Sequence, residues 1–251
     1  HRRLHPGSEV FIALTRAEHH ATLDAVEWLE ANNFATPLWI DVDSNAVIDL
    51  DHLDAQLSSV PAGLVAGLTS LVANNEVGSL QPLKEIAEIA ARHGVPVHFD
   101  AVQGFGSVPL SIAELGVDAL SVSAHKLGGP VGVGALVVSR SAAPLESLIH
   151  GGGQQVSRSG TLDAAGALAF AKAAELAFDS NSKERERRRA LRDGLIEGLT
   201  SIEGVTLRGS SNRLDNNVHI TLEGASGEVA LYLLDAEGIY VSTGSACQAG
   251  V

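Results

Sequence analysis

The sequence predicts an α/β fold in which a mostly parallel sheet is covered by helices. Short apolar runs alternate with amphipathic helical stretches from about residue 10 to residue 140. Apolar residues fill nearly every position of these runs, which is typical of strands buried on both faces, and helices between consecutive strands favour parallel pairing. Beyond residue 162 the pattern changes to long helices and a smaller α+β unit.

Six apolar runs are predicted to form the main sheet. In chain order they span residues 10–15, 37–43, 63–73, 95–100, 118–124 and 132–140. The first three helices are predicted at residues 21–33, 50–60 and 83–94. Lys84 and Glu88 lie four residues apart in the third helix, which places them on one face, and Gly94 suits the end of that helix.

The remainder of the chain predicts a second, smaller unit. A helix is expected at residues 163–178 and a charged helix after it, followed by strands at 205–209, 217–224 and 240–243 and a helix at 227–238. We therefore place a large domain at residues 1–162, and a helical connector with a small α+β domain at residues 163–251. Methionine is absent, even as an initiator, so we expect both domains to be incomplete parts of a longer chain.

Composition excludes several classes of function. A net charge of -13 argues against nucleic-acid binding, which requires a basic surface. No apolar run approaches the length of a membrane span and no secretory leader is visible, so we expect a cytoplasmic protein without a membrane partner. Cys247 is the only cysteine, which excludes an intrachain disulfide and any zinc site with two thiolates, and no metal site is predicted.

Polar side chains follow four of the predicted strands, at residues 18–20, 74–76, 100–103 and 123–126. Open α/β sheets bind ligands beyond the carboxyl ends of their strands, so these are the candidate site residues. Asp100 ends a strand, where a buried carboxylate needs a cation or several N–H donors. Lys126 follows the next strand, and a desolvated lysine amine is a nucleophile towards carbonyl carbon. Taken singly, each residue also fits a structural role, as a turn cap or as a surface lysine.

Asp100, Lys126 and the donors Ser123 and His125 together form the set that a pyridoxal phosphate site requires. That cofactor needs a lysine for a Schiff base, an acidic partner for its ring nitrogen and donors for its phosphate. Gln103, three residues after Asp100, is placed to offer its amide to a ring oxygen. The combination therefore predicts a pyridoxal phosphate enzyme, which neither strand end would predict by itself.

Six segments of the chain, in order, carry a resemblance to a known family. They are AEHHATLDA, ANNEVG, HFDAVQGFG, SVSAHKLGGPVGVGAL, GGGQQVSRSGT and VSTGSACQAG. Together they resemble the cysteine desulfurases, which are fold-type I pyridoxal phosphate enzymes of the class V aminotransferase type. The GSAC motif resembles the branch of that family that supplies sulfur for iron–sulfur clusters and thiolation.

The resemblance implies roles for the residues around the cofactor. Lys126 would form the Schiff base, Asp100 would pair with the ring nitrogen, and Gln103 would bond the phenolic oxygen. His19 would stack on the ring and help to move protons, although its position alone fits simple packing equally well. Asn75 would contact a cofactor oxygen and the carboxylate of the substrate.

Further residues are assigned by the same resemblance. Ser123 and His125 match phosphate ligands, and Thr161 matches a phosphate contact that reaches across from the second subunit of a homodimer. Arg158 is expected near the site, either in substrate binding or in anchoring its loop. Cys247 would be the nucleophile that takes the sulfur, whereas a lone cysteine without this context is more simply a small core residue.

The implied reaction converts L-cysteine to L-alanine and leaves the sulfur on Cys247 as a persulfide, for transfer to a cluster scaffold or another carrier. Two alternatives remain open. One is another enzyme of the same fold, such as an aminotransferase or a lyase acting on selenocysteine or cysteine sulfinate. The other is a non-catalytic protein that docks sulfur carriers. Turnover of cysteine without a keto acid separates a desulfurase from an aminotransferase, and failure to hold the cofactor would favour the docking protein.

Overall fold

Six strands form the main sheet of the protein. The computed structural model describes residues 7–142, 145–155, 157–179 and 181–244. The strands are β1 (Phe11–Thr15), β2 (Thr36–Ile40), β3 (Val65–Leu71), β4 (Val97–Asp100), β5 (Ala119–Ser123) and β6 (Gly134–Val138). Their order across the sheet is β2-β1-β3-β4-β5-β6, with every pair parallel except β5 and β6. The predicted mostly parallel α/β fold is therefore confirmed.

Seven α-helices and a second, two-stranded sheet complete the described part of the chain. The helices are α1 (His20–Ala31), α2 (Leu50–Ser59), α3 (Leu83–Arg92), α4 (Ile112–Leu115), α5 (Ala164–Asp179), α6 (Asn181–Thr200) and α7 (Gly227–Ala236). The small sheet pairs β7 (Val205–Arg208) with β8 (His219–Leu222) in antiparallel fashion. Helix α4 and a 3₁₀ turn at Ala124–Leu127 were not predicted from the sequence. None of the described helices is long and apolar enough to cross a membrane.

The core lies between the parallel strands and the helices that connect them. Leu68 of β3 and Phe99 of β4 are almost completely buried, and they belong to one hydrophobic cluster with Leu53 of α2 and Ile86 of α3. Removing apolar side chains from water is the main favourable term in folding, at about 25 cal/mol per Å² of apolar surface. Alternate residues of a strand point to opposite faces, so the core residue Phe99 separates two polar residues of β4 that share the other face.

Strand β6 departs from the prediction that the sheet is covered on both faces. All five of its residues are exposed, and Leu136 keeps 52% of its surface in water. The strand pairs antiparallel with β5 at one edge of the sheet, outside the parallel crossovers that place helices over the other strands. The expectation of two covered faces is therefore wrong for β6 within the described residues.

The strand predicted at residues 240–243 is also wrong. Tyr240 is 86% exposed, and residues 239–242 take part in no ladder of the described chain. An apolar run becomes a strand only where a neighbouring strand accepts its backbone hydrogen bonds. Here β7 and β8 pair with each other, and no third strand joins them among the described residues.

The β7–β8 loop is fastened to the turn that follows β3. Buried Ser79 donates its hydroxyl to the carbonyl of Asn45 at 2.6 Å and accepts the backbone N–H of Ser210 at 2.8 Å. The backbone N–H of Leu214 also donates to the carbonyl of Gly78, at 2.9 Å. These bonds join the second half of the chain to the sheet edge that carries the candidate site. The domain boundary after residue 162 stays a prediction.

Replacement of Ser79 by alanine is expected to lower the free energy of unfolding by roughly 2–4 kcal/mol. The substitution leaves a carbonyl and an N–H without their shared partner in a buried place, which costs more than the loss of an exposed hydrogen bond. Urea titration followed by circular dichroism measures the effect. Ser58→Ala is the control, because Ser58 is exposed and makes one bond within α2. Equal losses in the two variants would contradict this role of Ser79.

Candidate active site

The carboxyl ends of four neighbouring strands lie side by side at one end of the main sheet. The order β1-β3-β4-β5 and their parallel direction bring together the loops that begin after Thr15, Leu71, Asp100 and Ser123. These loops contain the residues that the sequence places at strand ends. The topology therefore assembles the four predicted segments on the side of the sheet where open α/β folds bind ligands.

Asp100 is a buried carboxylate at this edge. Only 7% of the residue is exposed, and its Oδ1 accepts the backbone N–H of Val102 at 3.0 Å. No cation pairs with it in the part of the chain that the structure describes. A buried carboxylate is costly without a positive partner, so this position suits a cationic group brought in by a ligand.

The turn after β4 carries Gln103 and packs closely on β3. Gln103 is half-buried. A Cβ atom on the next residue, Gly104, would collide with the side chain of Val72, which directly follows β3. Only glycine permits this approach of the backbone, and the approach holds Gln103 beside the end of β4.

Lys126 lies in the 3₁₀ turn that follows β5. The turn ends at Gly128, whose positive φ of 78° suits glycine. Lys126 and His125 are both exposed, and the Oγ of Ser123 lies 2.7 Å from Nδ1 of His125. The strand ends at Ser123, three residues earlier, so the lysine is not carried into the buried sheet. Lys126 is therefore exposed in the described chain, and the expectation that its amine is removed from water is wrong.

His19 begins helix α1 with its side chain. Its Nδ1 accepts the backbone N–H of Ala21 at 3.1 Å, and its carbonyl accepts the N–H groups of Thr22 and Leu23. Because Nδ1 serves as an acceptor, the neutral ring carries its proton on Nε2. The half-buried ring is thus oriented by the helix end.

Asn75 and His19 line a common cleft of about 330 Å³ between the ends of β1 and β3, formed largely by residues 16–20 and 74–77. The neighbouring Asn74, which is buried, fixes its walls. Its Oδ1 accepts the N–H groups of Glu76 and Val77, and its Nδ2 donates to the carbonyl of Ala17 at 3.2 Å. The sequence pointed to the Asn-Asn pair but assigned a role only to its second member.

A larger cleft, of about 410 Å³, lies at the opposite end of the sheet, where the strands begin. It is formed where α2 and α3 end, near the start of β3, by residues 57–65 and 92–95. None of the predicted site residues lines it. Because ligands of open α/β sheets bind at the carboxyl ends of the strands, the smaller cleft is the better candidate despite its size.

Two of the predicted residues that the structure describes are not brought into this arrangement. Arg158 and Thr161 are exposed in the segment before α5, and among the described residues no hydrogen bond or ion pair links them to the strand ends. Between them, Ser159 is buried and its N–H donates to the carbonyl of Ile149. Cys247 lies outside the described residues.

Glu18 is a second buried carboxyl group at the site, to which the sequence analysis assigned no role. Its Oε1 accepts the hydroxyl of Thr15 at 2.9 Å, and its Oε2 is buried without a partner among the described residues. Burial raises the pKa of Glu18 to about 8, and the negative charge of Asp100 adds to the rise, while the bond from Thr15 opposes it. At neutral pH Glu18 is therefore mainly protonated. A carboxylate directly after a buried strand was the only signal that the sequence offered.

Comparison with known proteins identifies the family. The sequence profile of the family described as aminotransferase class-V matches residues 1–250. The chain belongs to this family. Its class-V relatives include the IscS-like cysteine desulfurase of Mycobacterium tuberculosis, which is 43% identical over 244 residues, with 96% of this chain and 61% of that protein covered. The cysteine desulfurase IscS of Methanosarcina thermophila is 40% identical, with 94% and 57% covered.

Solved structures of NifS-like proteins share the fold. A NifS-like protein superposes with a TM-score of 0.88 at 33% identity, covering 96% of this chain and 66% of that one. The NifS-like protein of Rickettsia africae gives a TM-score of 0.86 at 30% identity, with 94% and 64% covered. The sequence resemblance to the cysteine desulfurases is thus confirmed. The chain spans 57–61% of the length of the two curated relatives named above.

Glu18 is expected to make the stability of the cofactor-free protein depend on pH. Its raised pKa means that folded protein binds the proton more tightly than unfolded chain, whose carboxyl has the ordinary value of 4.5. The stability that this provides is complete below pH 4.5 and is lost as the pH rises towards 8. Between about pH 5 and 8, the free energy of unfolding of the wild type should fall by up to about 4 kcal/mol more than that of Glu18→Gln, at about 1.4 kcal/mol per pKa unit.

Urea titrations at a series of pH values measure this difference. Glu76→Gln is the matched control, because Glu76 lines the same cleft but is exposed. Its pH dependence should follow that of the wild type. If Glu18→Gln also followed the wild type, the buried protonated carboxyl would be refuted.

Proposed function

We propose that the protein is a pyridoxal phosphate-dependent cysteine desulfurase, which converts L-cysteine to L-alanine and transfers the sulfur to Cys247 as a persulfide. The observation that carries the proposal is the buried carboxyl group of Asp100, which has no cationic partner among the described residues and lies at the same end of the sheet as Lys126. The relatives from Mycobacterium tuberculosis and Methanosarcina thermophila are named cysteine desulfurases, which supports the same reaction for this chain.

The residues at the strand ends suit pyridoxal phosphate. Asp100 offers the buried negative charge that a protonated ring nitrogen needs, and Lys126 offers an accessible amine for the carbonyl of the cofactor. Ser123 and His125, which already contact each other, supply donors for the phosphate. Gln103 stands beside Asp100 and would donate to the phenolic oxygen. When bound, the cofactor supplies an electron sink for bonds at the α-carbon of an amino acid.

Side chains of the cleft are assigned to substrate and to proton movement. Asn75 would bind the carboxylate of cysteine with its amide. Lys126 Nζ would take the proton from the α-carbon, and His19, whose neutral ring carries its proton on Nε2, would help to move protons near it. Helix α1 orients that ring through the bond from Ala21, so its donor direction is set before substrate arrives.

Cys247 completes the reaction as the sulfur acceptor. Its thiolate attacks the sulfur of the substrate, the bond between that sulfur and the β-carbon breaks, and the β-carbon takes up a proton. Cysteine and the Cys247 thiol thereby become alanine and a Cys247 persulfide, with no external oxidant or reductant. Small residues surround the cysteine in STGSAC, which suits a segment that must reach first the substrate and then an acceptor.

The partners follow from the same assignment. Thr161 would complete the phosphate site of a second subunit, so the active form would be a homodimer, and Arg158 would bind substrate or anchor that loop. The persulfide would pass to an acceptor protein for iron–sulfur cluster or thio-cofactor assembly. Thiol chemistry of this kind requires a reducing compartment, which supports a cytoplasmic location.

Replacement of Cys247 by alanine is expected to leave the visible absorbance of the bound cofactor unchanged and to lower sulfide release more than about 100-fold, because the sulfur loses its nucleophile. Intact mass after treatment with L-cysteine gives a second measurement. The wild type should gain one sulfur, about 32 Da, and the variant none. The single cysteine makes the site of the added mass unambiguous.

Lys126→Ala is the reference for this experiment, since it should lose both the cofactor absorbance and sulfide release. Turnover is measured without a keto acid, which excludes transamination as the source of alanine. Undiminished sulfide release from Cys247→Ala would contradict the assignment of the sulfur acceptor. Wild-type protein that acquires no visible absorbance with added cofactor would contradict the proposed function as a whole.

A further inference from the structure

The side chain of His98 links three neighbouring strands, two residues before Asp100 on β4. Its Nδ1 lies 2.9 Å from the hydroxyl of Thr69 on β3, and its Nε2 lies 2.6 Å from the hydroxyl of Ser121 on β5. Thr69 is the register partner of His98, and Ser121 is the register partner of Asp100. His98 and Asp100 are two residues apart on β4, so they share one face of the sheet.

The ring of His98 is held in its neutral form. Burial lowers the pKa of His98, and the negative charge of Asp100 opposes this only in part. A neutral imidazole has one donor and one acceptor nitrogen, and a hydroxyl can take either part. Thr69 and Ser121 therefore satisfy the ring completely without placing a positive charge in the sheet.

The titratable groups around Asp100 add no positive charge beside it. Glu18 faces it from the loop after β1 and is protonated at neutral pH, because burial and the charge of Asp100 raise the pKa of Glu18 to about 8. A protonated His98 would compete with any cationic ligand for the charge of Asp100. A neutral His98 leaves that charge to the ligand, while its two hydrogen bonds fix the end of β4 between β3 and β5.

We propose that His98 is a positioning residue for the cofactor, which acts through Asp100 by bridging Thr69 and Ser121 and by leaving the carboxylate charge uncompensated. This inference rests on the proposed function and extends it, since it assigns a task to a residue that does not touch the cofactor. The bridge would strengthen the protonation of the ring nitrogen, because it fixes the position of the carboxylate opposite that nitrogen.

The test follows the ring nitrogen itself, with ¹⁵N-labelled pyridoxal phosphate bound to the protein and its chemical shift recorded against pH. His98→Phe keeps the ring volume and removes both hydrogen bonds. We expect this variant to lose the ring proton at a pH lower by about one unit than the wild type, and to bind the cofactor about tenfold more weakly, which corresponds to about one net hydrogen bond. Asp100→Asn provides the reference for complete loss of the counter-charge.

Single deletions of each hydroxyl, Thr69→Val and Ser121→Ala, separate positioning from general damage. Each should shift the titration of the ring nitrogen in the wild-type background and neither should shift it further in His98→Phe, because the bridge is then already broken. His93→Phe is the matched control, since it removes another half-buried histidine, bonded to Asp54 at 2.7 Å near the opposite edge. Urea titration of every variant records its stability, and if His98→Phe does not fold, the two hydroxyl variants carry the test.

A titration and a cofactor affinity in His98→Phe equal to those of the wild type, or hydroxyl variants that act additively with it, would overturn the proposal. If Asp100→Asn also matched the wild type, the pairing of Asp100 with the ring nitrogen would itself be wrong. That result would count against the proposed function, and it is distinguishable from a failure confined to His98.

Discussion

A buried carboxylate at the end of β4 is the constraint on which the candidate site depends. Asp100 is almost completely removed from water, and one backbone N–H, from Val102, donates to it within the described residues. An ionised group in such a place is stable only when a positive charge approaches it. Strands β4 and β5 are parallel neighbours, so Asp100 and the turn that carries Lys126 lie at the same end of the sheet. One ligand can therefore bind both residues.

The titratable neighbours of Asp100 do not supply the positive charge that it needs. Glu18 is protonated at neutral pH and His98 is neutral, in each case because burial disfavours the charged form. Thr15 and the hydroxyls of Thr69 and Ser121 bond to these groups, so they are polar without being charged. Neither neighbour therefore places a positive charge beside Asp100, which leaves this carboxyl group to pair with a cationic ring and connects the fold to the proposed chemistry.

Much of the fold could be predicted from the sequence because buried parallel strands are apolar at nearly every position. The same apolar signal failed where pairing and coverage decide the outcome, as in exposed β6 and in residues 240–243, which lack a partner strand among the described residues. The polar residues after the strands predicted that the site lies at the carboxyl ends of the sheet. They did not predict the exposure of Lys126, because the sequence did not reveal the 3₁₀ turn. The parts played by Asn74 and His98 depend on contacts between strands distant in the chain, which chain order does not display.

In the proposed site, Asp100 and Lys126 hold opposite ends of one cofactor. A crystal structure of the protein grown with pyridoxal phosphate tests this arrangement most directly. We expect continuous electron density from Nζ of Lys126 to the cofactor, with the ring nitrogen within about 3 Å of a carboxylate oxygen of Asp100. A cofactor bound in the cleft at the amino ends of the strands, or at the predicted edge with its ring nitrogen turned away from Asp100, would contradict it.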